Sequence, residues 1–82
     1  MIMKNVNVIN YYRVKDQYLA TLLFCLDIPL EKTERKDGVV FFVFQNKDRC
    51  EEIIKDYYQN RLSINPKKFV DSFSTIKSLI FS

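Results

Sequence analysis

The run Val39-Val40-Phe41-Phe42-Val43-Phe44 constrains the fold more than any other part of the chain. It is β-branched and aromatic throughout, and the turn signal Lys36-Asp37-Gly38 stands immediately before it. Alternate residues of a strand face opposite ways, so Val40, Phe42 and Phe44 fall on one side and Val39, Phe41 and Val43 on the other. Both sides are apolar. Such a strand is stable only when covered from above and below, which predicts a central position in a small sheet.

The chain has 82 residues, the size of one domain spanning residues 1–82, with Met1 to Asn5 expected to fray. An apolar share of 48%, a single Gly and two Pro argue for a packed core over disorder. Thirteen Lys and Arg against ten Asp and Glu leave a charge of +3, compatible with a nucleic-acid partner and equally common in proteins without one. Met1 to Val14 lacks the apolar core of roughly 7–15 residues that an export signal needs. The longest uncharged apolar run, Tyr18 to Leu26, is about half a bilayer span. These features predict a cytoplasmic protein without membrane contact. Cys25 and Cys50 both fall within helical apolar stripes, which predicts reduced, buried thiols.

Elements follow from the periodicity. Val6 to Val14 alternates loosely and predicts an edge strand, with either Val6, Val8, Tyr12 and Val14 or, one residue out of phase, Ile9 and Tyr11 facing the core. Lys15-Asp16 opens a helix to about Leu26, with Tyr18, Leu19, Leu22, Leu23 and Leu26 on one face, ended by Asp27 and Pro29. Leu30 to Arg35 is a charged edge strand, joined to the central strand by an Asp-Gly hairpin. Asn46 caps a second helix, Lys47 to Gln59, whose stripe is Cys50, Ile53, Ile54, Tyr57 and Tyr58. Asn60 to Ile64 connects to a third helix announced by Asn65-Pro66, with Phe69, Phe73, Ile76 and Ile80 at helical spacing. The expected fold is α+β: a three-stranded antiparallel sheet packed with three helices, in the order β-α-β-β-α-α. If the helices cover only one face of the sheet, a partner or a second copy must cover the other.

Lys15-Asp16 with Tyr18-Leu19-Ala20, Phe42-Val43-Phe44, Cys50-Glu51, Asn65 with Lys67-Lys68-Phe69, and the ending Ile76-Lys77-Ser78-Leu79-Ile80-Phe81 form a set of landmarks. With them the chain after Val14 resembles a family of small proteins from bacteria, archaea and viruses, the domain of unknown function number 5659. Two positions depart from the family pattern: a glycine near Asp27 and an arginine near Ser74 are both missing. The resemblance implies no catalytic residue, cofactor or substrate. It does imply a viral or mobile-element setting.

The chain has no histidine, so histidine-based acid–base chemistry and histidine metal ligands are excluded. One glycine excludes a phosphate-cradling loop or dinucleotide fingerprint, and two distant cysteines cannot alone hold zinc. The carboxylate pairs Glu51-Glu52 and Glu31 with Glu34 read as solvated surface. What is left is binding. Lys67 and Lys68 occupy the first turn of the third helix, where lysine is mildly unfavourable, with Arg61 just upstream; Lys47 and Arg49 repeat the arrangement at the second. Phe41 falls where the base-stacking aromatic of an RNA-recognition strand would sit, although Val39 replaces its companion and core packing is the favoured reading. Of the paired tyrosines, Tyr12 and Tyr57 are expected in the core, with Tyr11 and Tyr58 at a rim.

These observations predict a non-enzymatic binding module without a metal or small-molecule cofactor. Its expected partner is nucleic acid or nucleoprotein, held through Arg61, Lys67, Lys68 and Lys77, with Lys47 and Arg49. The alternative is a protein–protein adaptor or homodimer built on apolar surface.

Overall fold

The computed structural model describes residues 10–82. The element order is β1 (Tyr12–Val14), α1 (Gln17–Cys25), β2 (Leu30–Lys36), β3 (Val39–Phe44), α2 (Lys47–Tyr58) and α3 (Pro66–Ile80). The sheet is antiparallel with the strand order β1-β3-β2, so the apolar run is the central strand. The expected fraying of Met1 to Asn5 and the first part of the expected edge strand, Val6 to Ile9, lie outside the described residues. Within β1, Tyr12 and Val14 sit opposite Phe44 and Phe42, which settles the phase in favour of Tyr12 and Val14 as inward residues.

Phe42 and Phe44 are fully buried, and their face gathers Val14 of β1, Ala20 and Leu23 of α1, Cys50 and Ile53 of α2, and Ile76 of α3 into one core. All three helices of the described residues therefore contribute to one side of the sheet, giving two layers. Val39, Phe41 and Val43 look the other way. A bulge in β2 adjusts the pattern: Leu30 pairs with Phe44, Lys32 with Val43, and Glu31 is the extra residue. Without it, Leu30 would share a face with Lys32, Glu34 and Lys36. With it, Leu30 joins the core and the three charged side chains go to the far face. The Gln45 amide donates to the Glu31 carboxylate at 2.8 Å beside the bulge.

A chain with one glycine must turn by other means. Asp27, Asp37, Asn46 and Asn60 all take left-handed backbone conformations, with φ of 65°, 53°, 63° and 58°. Asp and Asn tolerate this region because their short polar side chains bond locally. Asp37 and Gly38 (φ 79°) together make the two-residue hairpin turn that the strand twist requires. Helix α1 ends with the Ile28 N–H on the Leu23 carbonyl and the Asp27 N–H on the Phe24 carbonyl, both at 3.1 Å. Helix α2 ends the same way, with Arg61 on Asp56 and Asn60 on Tyr57. Both are Schellman closures with an acid or amide where glycine usually stands.

The N-caps are Asp16, Asn46 and Asn65, each accepting from a backbone N–H of the first turn. At its other end, the Ser82 hydroxyl donates to the Leu79 carbonyl at 2.9 Å, and Arg35 of β2 adds a closure from across the fold. Its guanidinium donates to the carbonyls of Leu79, Ile80 and Ser82, placing a cation at the negative end of the helix dipole.

Two helical stripes bury less than their spacing predicts. Tyr18 is 57% exposed, and Tyr57 and Tyr58 also stand out from the surface. The expectation of a core Tyr57 is corrected: only Cys50 and Ile53 of the α2 stripe are fully covered, and Tyr57 in the last turn is 43% exposed. In α1 the buried set instead includes Ala20, Thr21 and Cys25. The Thr21 hydroxyl donates to the Gln17 carbonyl at 2.7 Å, which satisfies it within the core. Both cysteines are free and buried.

Candidate nucleic-acid interface

The six basic residues expected to contact an anion lie in different settings. Lys67 and Lys68 line one shallow hollow with Phe24, Asn65 and Asp71. Each has a carboxylate partner: Lys67 bonds Asp71 at 2.8 Å, one helical turn on, and Lys68 reaches Asp27 at 3.1 Å. The Asp71 hydrogen bond raises the Lys67 pKa. Arg61 bonds the Gln59 side chain and lies 3.9 Å from Asp56, outside that hollow. Arg49 pairs with Glu52. Lys47 and Lys77 have no carboxylate partner among the described residues; the Lys77 ammonium sits 5.7 Å from the centre of the Phe73 ring. Four of the six charges are therefore locally balanced, and Lys67 and Lys68 are tied to acids the sequence places four and forty-one residues away.

The far face of the sheet gathers a different set. Arg13 is paired with Val43, Glu34 with Phe41, Lys32 with Val43 and Lys36 with Val39. Arg13 comes from one edge strand and Glu34 from the other. Its Nε donates to the Glu34 carboxylate at 3.0 Å while its guanidinium lies 4.5 Å from the Phe41 ring centre. The ion pair thus straps across β3 directly over Phe41. Lys32 meets the second Glu34 oxygen at 3.2 Å. Hydrogen bonding from Lys32, with the charge of Arg13 beside it, holds the Glu34 carboxyl below its ordinary value.

This arrangement explains how a strand apolar on both sides stays in water. Val43 is only 2% exposed although it lies outside the helical core. The stems of Arg13 and Lys32 flank it, and long basic side chains cover apolar surface while keeping their charged ends wet. Among the described residues, the paired strands put three cations against one carboxylate on this face. Sequence reasoning missed Lys32 and Lys36 because a hidden bulge decides which β2 residues share a face with Phe41, and Arg13 because the sequence leaves the phase of β1 open.

A second exposed feature runs over α1 and α3. Tyr18 stacks on Phe73 with centroids 5.3 Å apart, and Phe73 lies parallel to Phe69 at 6.4 Å. Val70 and Phe81 stand exposed on the same helix and its end. Phe69 continues the surface to a hollow shared with Leu22, Tyr57, Leu62 and Ile64. Elsewhere, burial pushes the Cys50 thiol up to about 11, with nearby Glu51 adding to the effect, and burial also raises Tyr12. Among the described residues no three Cys, Asp or Glu side chains gather as a metal site would need, and no helix is long and apolar enough to cross a membrane.

The family pattern described as "Domain of unknown function (DUF5659)" matches residues 9–82. No curated protein and no solved structure matches the chain.

Proposed function

The chain belongs to the DUF5659 family, and we propose that it is a small non-enzymatic module that associates with nucleic acid through the face of its sheet opposite the three helices. The observation that carries this reading is the far face of β3: Arg13, Lys32 and Lys36 surround the half-buried Phe41 ring, with Glu34 the only opposing charge among the described residues of the paired strands on that face. Cations supply phosphate contacts, and the ring supplies a surface for a base. Lys47 and Lys77, without acidic partners among the described residues, add to the positive field. Arg49, Arg61, Lys67 and Lys68 contribute less, since neighbouring carboxylates offset them. A module of this kind suits the viral or mobile-element setting that the family resemblance implies.

The test is a fluorescence-anisotropy titration with a labelled mixed-sequence single-stranded oligonucleotide at 50 and 200 mM salt. Three phosphate contacts on a single strand give a salt slope of about −2, so affinity should fall about twentyfold between those conditions. Negligible binding at the lower salt refutes the proposal.

A protein–protein role has its own supporting observation, the stack of exposed Tyr18 on half-buried Phe73 and Phe69, flanked by exposed Val70. Tyrosine and phenylalanine are enriched at interfaces. Sedimentation at high concentration separates the two readings: a monomer there removes the homodimer form of this alternative.

A further inference from the structure

We infer that Phe41 is a base-stacking position closed by a charged strap, and that opening the strap makes the sheet face selective for single-stranded polynucleotides. The inference rests on the reading of this face as a nucleic-acid surface and adds to it the form of nucleic acid and the gating group.

The strap is the Arg13–Glu34 ion pair. It crosses from one edge strand to the other and places the Arg13 guanidinium over the ring, 4.5 Å from its centre. Both side chains are substantially exposed, and an ion pair in that setting holds weakly because water competes for each partner. A phosphate offers Arg13 a stronger, bidentate acceptor than the single Nε contact it now makes. Once Arg13 turns to the phosphate, the upper side of Phe41 is free, and an unpaired base can replace one flat cationic group with another flat group. A duplex cannot do this. Its bases are already stacked, so it meets the face through phosphates alone.

Glu34 is the competitor built into the site. It holds Arg13 and also Lys32, so one carboxylate keeps two of the three cations of the face from a phosphate. The side chains pointing from this face are Arg13, Lys32, Glu34, Lys36, Val39, Phe41 and Val43, with no neutral hydroxyl or amide among them. Arg13, Lys32 and Glu34 can each meet a base edge, but as long, exposed side chains they hold no one pattern of donors and acceptors in place. Binding is therefore driven by charge and stacking, indifferent to sugar and tolerant of sequence.

The experiment measures affinity for one 12-residue sequence as single-stranded DNA, single-stranded RNA and duplex DNA at 50 mM salt. The wild type, Phe41→Ala, Phe41→Leu and Glu34→Gln are compared, each checked for folding by circular dichroism. The single strands should bind at least about tenfold tighter than the duplex, with DNA and RNA within about threefold of each other. Phe41→Ala and Phe41→Leu should both weaken single-strand binding about tenfold and leave duplex binding unchanged. Glu34→Gln, by freeing one more phosphate contact, should tighten all three by about threefold or more. Equal affinity for duplex and single strand with Phe41 substitutions neutral overturns the inference while leaving the nucleic-acid reading intact. A tenfold preference for RNA or for DNA overturns the claim that charge and stacking suffice, and so does a Glu34→Gln protein that binds more weakly. No binding to any of the three overturns both readings.

Discussion

Adjacent phenylalanines on the central strand should differ sharply in what they contribute to stability. Phe42 is fully buried in the helical core, while Phe41 is half-buried beneath Arg13 on the far face. Truncating a core phenylalanine to alanine removes its burial and leaves a cavity, at a cost of about 3–5 kcal/mol. At Phe41 no enclosed cavity forms, because solvent and the Arg13 side chain fill the space. Roughly half the burial is lost, together with a cation–π contact of about 0.5–1 kcal/mol at an exposed site, for a total near 1–2 kcal/mol. A domain of this length has about 4–12 kcal/mol of stability, so Phe41→Ala stays folded while Phe42→Ala approaches the limit. Urea denaturation followed by circular dichroism reads both, with Phe42→Leu as the version certain to leave a measurable native baseline. If Phe41→Ala destabilises as much as Phe42→Ala, a helix or another chain covers the far face, and the two-layer description is wrong.

Three further outcomes follow from single contacts. Asp27→Gly should raise stability by about 0.5–1 kcal/mol, since glycine adopts the left-handed closure of α1 without strain and the exposed Lys68 pair it forfeits is weak; thermal melting checks it. Arg35→Met should lower stability by about 1 kcal/mol and speed amide exchange first in the last turn of α3, because three carbonyls lose their cation. The Cys50 thiol is pushed up to about 11 from 9.0, so above pH 9 the unfolded chain ionises it first and binds fewer protons than the native one. Its contribution is therefore complete below pH 9 and lost by about pH 11; denaturation across that interval should decline less steeply in Cys50→Ala, and native protein should resist thiol reagents at pH 8.

The sequence made the element order and the centrality of β3 legible because those depend on local signals. Asn65-Pro66, Asn46 and Asp16 are caps whose chemistry acts within one turn, and Asp37-Gly38 forces its hairpin alone. Burial around the helices was less legible. Tyr18 and Tyr57 keep helical phase with core residues, yet phase says only which way a side chain points, and both stay substantially exposed. The ion pairs were illegible for a different reason. Lys68 meets Asp27 across forty-one residues and Arg35 meets the end of α3 across more, so no spacing rule connects them. The composition of the far face turned on the bulge at Glu31, a one-residue shift that inverts the side on which Lys32 and Glu34 emerge.

That shift bears on what kind of surface the domain presents. A strand with Val39, Phe41 and Val43 on one side has three ways to stay out of water: more helices, a permanent partner, or cover drawn from its own neighbours. Helices would make the face part of the core, and a permanent partner would require a broad apolar patch that self-associates whenever the partner is missing. Cover by Arg13, Lys32 and Glu34 differs from both because it is held by exposed charges rather than by packing, and exposed ion pairs exchange readily with other ions. The same side chains that shield Val43 and Phe41 from water are thus the ones an incoming polyanion would recruit. Shielding and binding are alternatives for one set of groups. High salt should weaken polyanion binding strongly yet barely change folding stability, since the fold depends on the core around Phe42 and Phe44 and the far-face charges contribute little to it. Stability that fell in parallel with affinity as salt rose would place those charges in the structure instead of on a surface free to exchange.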